Sequence, residues 1–283
     1  MKLIHWEAIE EMQKIKDNSI DLIFADLPYS DKLLKRITAN NWDKWINLEE
    51  YFKQVNRILK EDWVMCMTAT NPFSFVLWYK SIEFQNKYRW NLKYKYEWIW
   101  EKSNLTNFAT INYQPWRVHE HILVFWKKAT TYAWKNATKE NYMKYNEQRT
   151  KWKPYAMMSW TWTSNLAVKE WKSLSIWTEN TWDRRPRTIQ KFKQEKRQEY
   201  LIEINWEIVK EKSHPTNKPV KLIEYLLKTY TKEWDLVLDP TMWGWSCWVA
   251  CKNLNRDFIW IELEEKYFKI AKQRISEIDK AKG

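Results

Sequence analysis

Short apolar runs that each end on an acid punctuate this chain. Ile20-Asp21-Leu22-Ile23-Phe24-Ala25 leads into Asp26-Leu27-Pro28-Tyr29, and Leu236-Val237-Leu238 into Asp239-Pro240. Phe258-Ile259-Trp260-Ile261 leads into Glu262. A β-rich run closed by Asp and then Pro predicts a buried strand whose last residue opens a loop. Lys2–His5, Val64–Ala69, Tyr94–Trp100 and His121–Trp126 predict further strands. Helical periodicity alternates with them. Leu48–Leu59 and Val220–Tyr230 are amphipathic, and shorter helices are expected near 8–15, over Pro72–Tyr79, over Cys247–Cys251 and over Glu265–Ile275. Strands alternating with helices predict an open α/β sheet, which places its site at the C-terminal ends of its strands.

Two of those strand ends carry chemistry. The loop after Ala25 offers a carboxylate (Asp26), backbone carbonyls with no helix to bind them, and the aromatic face of Tyr29. Those groups suit a flat base bearing an amine. The second is a strand, a glycine-type loop (Thr241-Met242-Trp243-Gly244-Trp245-Ser246), a helix, a strand and the terminal acid Glu262. That order is a mononucleotide-binding layout, with Glu262 placed to accept from ribose hydroxyls. It lacks a GxGxxG pattern and a following Lys-Ser/Thr pair, which argues against a phosphate cradle.

From about Ala129 to Lys212 the periodicity weakens, and charged residues, Asn, Thr and Trp dominate. Asp183-Arg184-Arg185-Pro186-Arg187 and Lys191-Phe192-Lys193 interleave basic and other side chains, the composition of a DNA-contacting insert. The net charge of +12 favours an anionic partner such as nucleic acid. Three Cys, at 66, 247 and 251, fit a reducing, cytoplasmic compartment rather than a disulfide framework. No run of 18 apolar residues suggests a membrane span, and the opening Met1-Lys2-Leu3-Ile4-His5 reads as a strand, not a signal peptide. A zinc site at His119-Glu120-His121 is disfavoured, because consecutive strand residues face opposite ways. No metal is expected.

Taken together, these segments resemble the β-type amino-group DNA methyltransferases of the N4/N6 family. Asp26-Leu27-Pro28-Tyr29 is similar to their (D/N/S)PPY tetrapeptide, with Leu27 for the first Pro. His214-Pro215-Thr216-Asn217-Lys218-Pro219 resembles HPT(Q/N)KP, Asp239–Ser246 resembles DPxMGSG, and His119–Phe125 resembles HExILVF, in the family's order. The resemblance implies a permuted Rossmann-like sheet of seven mostly parallel strands. It implies a catalytic half at 1–128, a target-recognition insert at 129–212 and a cofactor half at 213–283. Catalysis falls to Asp26, Leu27, Pro28 and Tyr29. S-adenosyl-L-methionine falls to Asp239, Pro240, Met242, Trp243, Gly244, Trp245, Ser246, Glu262 and Lys218, with Glu7 beside the adenine. Arg184, Arg185, Arg187, Lys191 and Lys193 would contact double-stranded DNA. A homodimer is a further implication. The tetrapeptide's leading Asp favours adenine N6 over cytosine N4 as the methylated amine. A non-catalytic DNA-binding relative with a degenerate cofactor loop is the reading from another class. Cytosine-C5 chemistry needs a Pro-Cys nucleophile, and none of the three Cys follows a Pro.

The glycine positions conflict with that resemblance. The family needs Gly at 243 and 245, where backbone approaches cofactor closely, and this chain has Trp at both. The whole chain has 2 Gly and 23 Trp, where roughly 20 Gly would be ordinary for this length. Many Trp occupy turn-like contexts, such as Trp63, Trp206 and Trp234, whereas Trp98 and Trp100 sit in a strand as real Trp would. The expectation is that UGA codons meaning glycine have been read as tryptophan, at 6, 63, 234, 243, 245, 248 and 260 among others.

Overall fold

The computed structural model describes residues 2–5, 7–31, 35–36, 46–106, 111–127, 144–151, 156–163, 172–179, 183–195, 199–204, 207–212, 217–242 and 246–282. The chain forms two compact units, one of Met1–Asn146 with Thr188–Gly283 and one of Glu147–Arg187.

The larger unit is built on one sheet of eight strands. These are β1 (Lys2–His5), β2 (Ile20–Ala25), β3 (Leu59–Ala69), β4 (Lys93–Thr106), β5 (Arg117–Trp126), β6 (Ile189–Phe192), β7 (Leu236–Asp239) and β8 (Asp257–Glu262). Their spatial order is β1-β8-β7-β2-β3-β5-β4-β6. The first five in that order are mutually parallel, β5 runs antiparallel to β3 and β4, and β6 is parallel to β4. Seven of these are the strands that the apolar runs predict. The eighth, β6, arises inside the stretch read as an insert. Its four residues alternate exposed and half-buried positions, too short a pattern to register as a strand.

Helices cover both faces. α1 (Ala8–Gln13), α2 (Leu48–Ile58) and α3 (Phe73–Tyr88) precede α4 (Val220–Tyr230), α5 (Ser246–Asn253) and α6 (Glu265–Lys282). Successive residues of β2 and β3 feed opposite faces. Leu22, Phe24, Val64 and Cys66 join α4, α5 and α6, while Ile23, Ala25, Met65 and Met67 join α1, α2 and α3. Burial on both sides explains why β2 reads as an almost continuous apolar run. Cys247 and Cys251 are buried in this packing as free thiols.

Several boundaries differ from expectation: β4 runs on past Trp100 to Thr106, and β5 begins at Arg117 rather than His121. β3 begins at Leu59, so Glu61-Asp62-Trp63 lies within the strand rather than in a turn; its pairing with β2 slips between Ile20 and Leu22. α3 continues nine residues past Tyr79, because exposed Phe75, Trp78 and Tyr79 blur its apolar stripe. α6 runs on to Lys282 through a polar tail.

In the smaller unit, Ala156–Thr163 pairs antiparallel with Lys172–Glu179, and Asp183–Arg184 with Thr150–Lys151. A further hairpin, Glu199–Ile204 with Glu207–Lys212, belongs to the larger unit.

The tryptophans separate into two groups. Trp98 donates its indole N–H to the Tyr230 hydroxyl at 2.6 Å, and Trp100 donates to the Phe192 carbonyl at 3.0 Å. Trp248 and Trp260 are fully buried against each other and Phe258, yet neither indole N–H finds an acceptor among the described residues. Such an orphaned donor costs about 1–3 kcal/mol. Trp234 has φ 68°, the left-handed region where a Cβ is disfavoured. Trp63 is buried beneath the Lys144 ammonium. Trp6, Trp206, Trp243 and Trp245 lie outside the described residues.

Candidate active site

The parallel strands β2, β7 and β8 deliver Asp26, Asp239 and Glu262 to one end of the sheet. All three carboxylates are buried. The loop after β2 is held from three sides. Lys218 donates to Asp26 Oδ2 at 2.6 Å, and Thr68 near the end of β3 donates to Oδ1. Tyr29 donates to the same Oδ1 at 3.3 Å, and Thr241 donates its hydroxyl to the Asp26 carbonyl at 3.2 Å. Leu27 and Pro28 are buried, which leaves the half-buried Tyr29 ring as the loop's open face, tilted against Phe73 at 5.3 Å.

Lys218 is the hub of this arrangement. It is buried, and its Nζ also lies 3.4 Å from Glu120 Oε2, a contact of charge without hydrogen-bond geometry. Lys102 pairs with the other oxygen, Glu120 Oε1. Burial pushes Asp26 above the ordinary carboxylate range, and the Lys218 ammonium limits that rise. Burial alone would lower Lys218, but attraction to Asp26 and Glu120 wins and holds it above the usual lysine value. Burial would raise Glu120, but Lys218 and Lys102 together hold it below.

Among the described residues, Asp239 and Glu262 have no such cation in direct contact. Burial lifts Asp239 to about 7, against a backbone hydrogen bond from Thr241, and the nearby Asp26 charge adds to the rise. Burial lifts Glu262 to about 8, although it accepts the Glu264 backbone N–H at 2.8 Å. Met242 is buried, with its N–H on the Ile261 carbonyl, so the loop leaves β7 tied to β8. Pro240 and Ser246 are buried at its two ends. Trp243, Gly244 and Trp245 lie outside the described residues. Glu7 follows β1 and accepts the Glu10 backbone N–H as the N-cap of α1. The donor set fits a nucleoside carrying cationic groups: buried carboxylates of raised pKa accept from hydroxyls and are stabilised by positive charge.

The five basic residues read as DNA contacts fall in different units. Arg184, Arg185 and Arg187 belong to the smaller one, where Arg185 lies 3.6 Å from Glu147. Lys191 and Lys193 belong to the larger one, on and just after β6, and Lys191 pairs with Glu101 at 2.7 Å. Thr68 and Lys102 are the site-lining residues that sequence reasoning passed over, and Glu120, noticed within His119–Phe125, was given no role in the site. Thr68 carried a signal, being the polar residue in the otherwise apolar run Val64–Ala69.

A mostly parallel sheet with one antiparallel strand between β3 and β4, tipped by acids at the ends of β2, β7 and β8, is the architecture of an S-adenosyl-L-methionine-dependent methyltransferase. Residues 20–273 match the family model described as DNA methylase, and the chain belongs to that family of N6/N4 methyltransferases. Its methyl donor is S-adenosyl-L-methionine. It is similar to the type II methyltransferase M2.LlaDCHI of Lactococcus lactis subsp. cremoris, at 24% identity over 97% of this chain and 88% of the relative. It is also similar to the DNA adenine methyltransferase YhdJ of Escherichia coli (strain K12), at 25% identity over 96% of this chain and 82% of that one. The solved M1.HpyAVI–SAM complex shares the fold with a TM-score of 0.53 at 18% identity, covering 96% of this chain and 97% of its own. The cytosine-N4-specific PvuII DNA methyltransferase does so with a TM-score of 0.55 at 14% identity, covering 94% and 83%. No helix among the described residues is long and apolar enough to cross a membrane.

Proposed function

We propose that this DNA methylase acts on the N6 amine of adenine in double-stranded DNA, with Asp26, Leu27, Pro28 and Tyr29 as its catalytic loop. The observation that carries the reading is the Asp26 carboxylate at the end of β2, buried and oriented by Lys218, Thr68 and Tyr29. An adenine amine is a poor nucleophile because its lone pair is delocalised into the ring. Asp26 and the Leu27 carbonyl accept its two N–H groups and draw the nitrogen toward tetrahedral geometry. The bound cofactor supplies the methyl group, and the methylated amine releases one proton. Tyr29, backed by Phe73, stacks on the base. Extruding that base costs a few kcal/mol, and stacking returns roughly 1–3 kcal/mol.

Asp239, Pro240, Met242, Trp243, Gly244, Trp245, Ser246 and Glu262 are the residues assigned to the cofactor, with Glu7 assigned to its adenine. Ribose hydroxyls donate to Glu262. Residues 129–212 form the target-recognition insert between the halves 1–128 and 213–283, and Arg184, Arg185, Arg187, Lys191 and Lys193 bind phosphates. The functional form is a homodimer in the cytoplasm, which sedimentation checks for the oligomer. The adenine preference is supported by Asp26 at the head of the tetrapeptide and by the name of the YhdJ relative.

The test is Asp26→Ala. Methyl transfer to DNA should be lost while cofactor affinity, read by calorimetry, stays close to wild type. Nucleoside analysis of DNA methylated by the unaltered protein should yield N6-methyladenine. Methylation by the Ala variant at wild-type rate overturns the catalytic assignment, and N4-methylcytosine as the product overturns the base.

A further inference from the structure

We propose that Glu120 and Lys102 are positioning residues for methyl transfer: they fix Lys218 in place and, through it, the orientation of the Asp26 carboxylate. The inference rests on Asp26 being the catalytic acceptor. Four charged side chains from four elements meet here. Asp26 follows β2, Lys102 lies in β4, Glu120 in β5, and Lys218 immediately before Pro219, the N-cap of α4. Their signs alternate along the sequence Lys102–Glu120–Lys218–Asp26, and no side chain in it is more than 12% exposed.

Each of four buried charges carries a desolvation penalty that pairing must offset, so such a chain is a poor device for stability alone. It is a good device for geometry. Lys218 stands between two carboxylates, 2.6 Å from Asp26 and 3.4 Å from Glu120. Without Lys102, both oxygens of Glu120 would compete for Lys218 and draw it from Asp26. With Lys102 holding Oε1, Glu120 presents one oxygen to Lys218 and keeps it within reach of Asp26 Oδ2. Asp26 then turns its remaining acceptor capacity outward as an ionised carboxylate. A protonated Asp26 would donate where the amine needs an acceptor.

The titratable groups that face Asp26 among the described residues include Lys218, Glu120 on β5, Tyr29 on its own loop and Asp239 on β7. Those that face Glu120, among the described residues, are Lys218, Lys102 and Asp26. Because Glu120 repels Asp26 while Lys218 attracts it, two substitutions move Asp26 in opposite directions. Glu120→Gln removes the repulsion and leaves Lys218 wholly to Asp26, which lowers the pH at which kcat falls on the acid side. Lys102→Met lets Glu120 draw Lys218 away, which raises that pH.

The experiment measures kcat against pH, with cofactor and DNA affinities, for full-length wild type, Glu120→Gln, Lys102→Met and Lys102→Arg. The expected result is opposite displacement of the acid limb in the first two variants, with kcat reduced roughly 10–100-fold by the misplaced carboxylate and cofactor affinity unchanged. Lys102→Arg keeps the charge and should return the limb to its wild-type position. An acid limb that stays in place in Glu120→Gln overturns the proposal, as does one displaced in Lys102→Arg as far as in Lys102→Met. Failure of the underlying reading looks different: Asp26→Ala would still methylate.

Discussion

The ammonium of Lys218 lies 2.6 Å from Oδ2 of Asp26, although 192 positions separate the two residues in the chain. That pairing joins the segment before α4 to the loop after β2. It makes a lysine expected beside the cofactor into a direct partner of the tetrapeptide.

Removing this lysine should be costly in a pH-dependent way. Lys218→Met leaves Asp26 and Glu120 buried near each other without their shared cation, a destabilisation of about 3–5 kcal/mol at alkaline pH. Asp26, already above its unfolded value, then rises further, and Glu120 loses part of the attraction that holds it below. The native state therefore holds more protons than the unfolded chain, and the variant's stability falls as pH rises. Urea melts should show a smaller deficit at pH about 5 than at pH about 8; equal deficits would mean the ion pair is not what Lys218 contributes.

Glu262 gives a second pH signature. Its folded pKa is about 8 against an ordinary 4.5, so the native protein without cofactor holds a proton on it that the unfolded chain has released. Stability from this group is present below about 4.5 and is lost as pH rises toward about 8. Glu262→Gln should therefore stabilise the cofactor-free protein relative to wild type, by on the order of a few kcal/mol at pH above 8 and little at pH 5. The same change should weaken cofactor binding roughly 10–100-fold at alkaline pH, since hydroxyl donors lose an ionised acceptor. Calorimetry across that range checks both.

For DNA, replacing Arg184, Arg185 and Arg187 with Ala should weaken binding and flatten its salt dependence, by roughly 0.9 in the log–log slope for each phosphate that is no longer neutralised. Lys191→Ala should change the slope less, because Glu101 already offsets its charge. Cofactor affinity should not move. Anisotropy titrations at several salt concentrations decide this, and an unchanged slope in the triple variant would move the phosphate-binding surface elsewhere.

Trp234 tests the glycine expectation where the backbone can be read. Its φ of 68° costs a residue with a Cβ about 1–2 kcal/mol, so Trp234→Gly should raise stability by about 1 kcal/mol. The codons for residues 243 and 245 should be UGA. The protein from its natural source should be lighter by one Trp-to-Gly difference per reassigned position. UGG codons at 243 and 245 would instead favour the degenerate-relative reading, and tight cofactor binding by the 23-Trp chain would overturn the glycine expectation.

The main strands were legible because burial on both faces writes continuous apolar runs, as at Ile20–Ala25 and Leu236–Leu238. The acids ending those runs were legible because apolarity stops there abruptly. What sequence could not show was pairing across distance. Nothing local to Lys102 or Thr68 says that each reaches toward Asp26, directly or through Glu120. Nor does spacing say that β6 returns to the sheet edge, since a parallel edge pairing leaves no turn signature. The indoles divide by a property no composition records, namely whether a buried N–H finds an acceptor. Trp98 does so and Trp248 does not among the described residues.

The smaller unit is entered and left at two fastened points. Before it, the Asn146 backbone N–H bonds the Thr229 carbonyl at 2.7 Å, and its side chain reaches the Lys228 and Thr231 carbonyls. After it, the Thr188 carbonyl accepts the Ile99 N–H at 2.8 Å as β6 begins. Both stumps are thus secured by the main unit. Doubling the length of the stretch between Asn146 and Thr188 adds only about 0.6 kcal/mol of closure entropy, so that stretch can lengthen or shorten at little cost to the fold of the main unit.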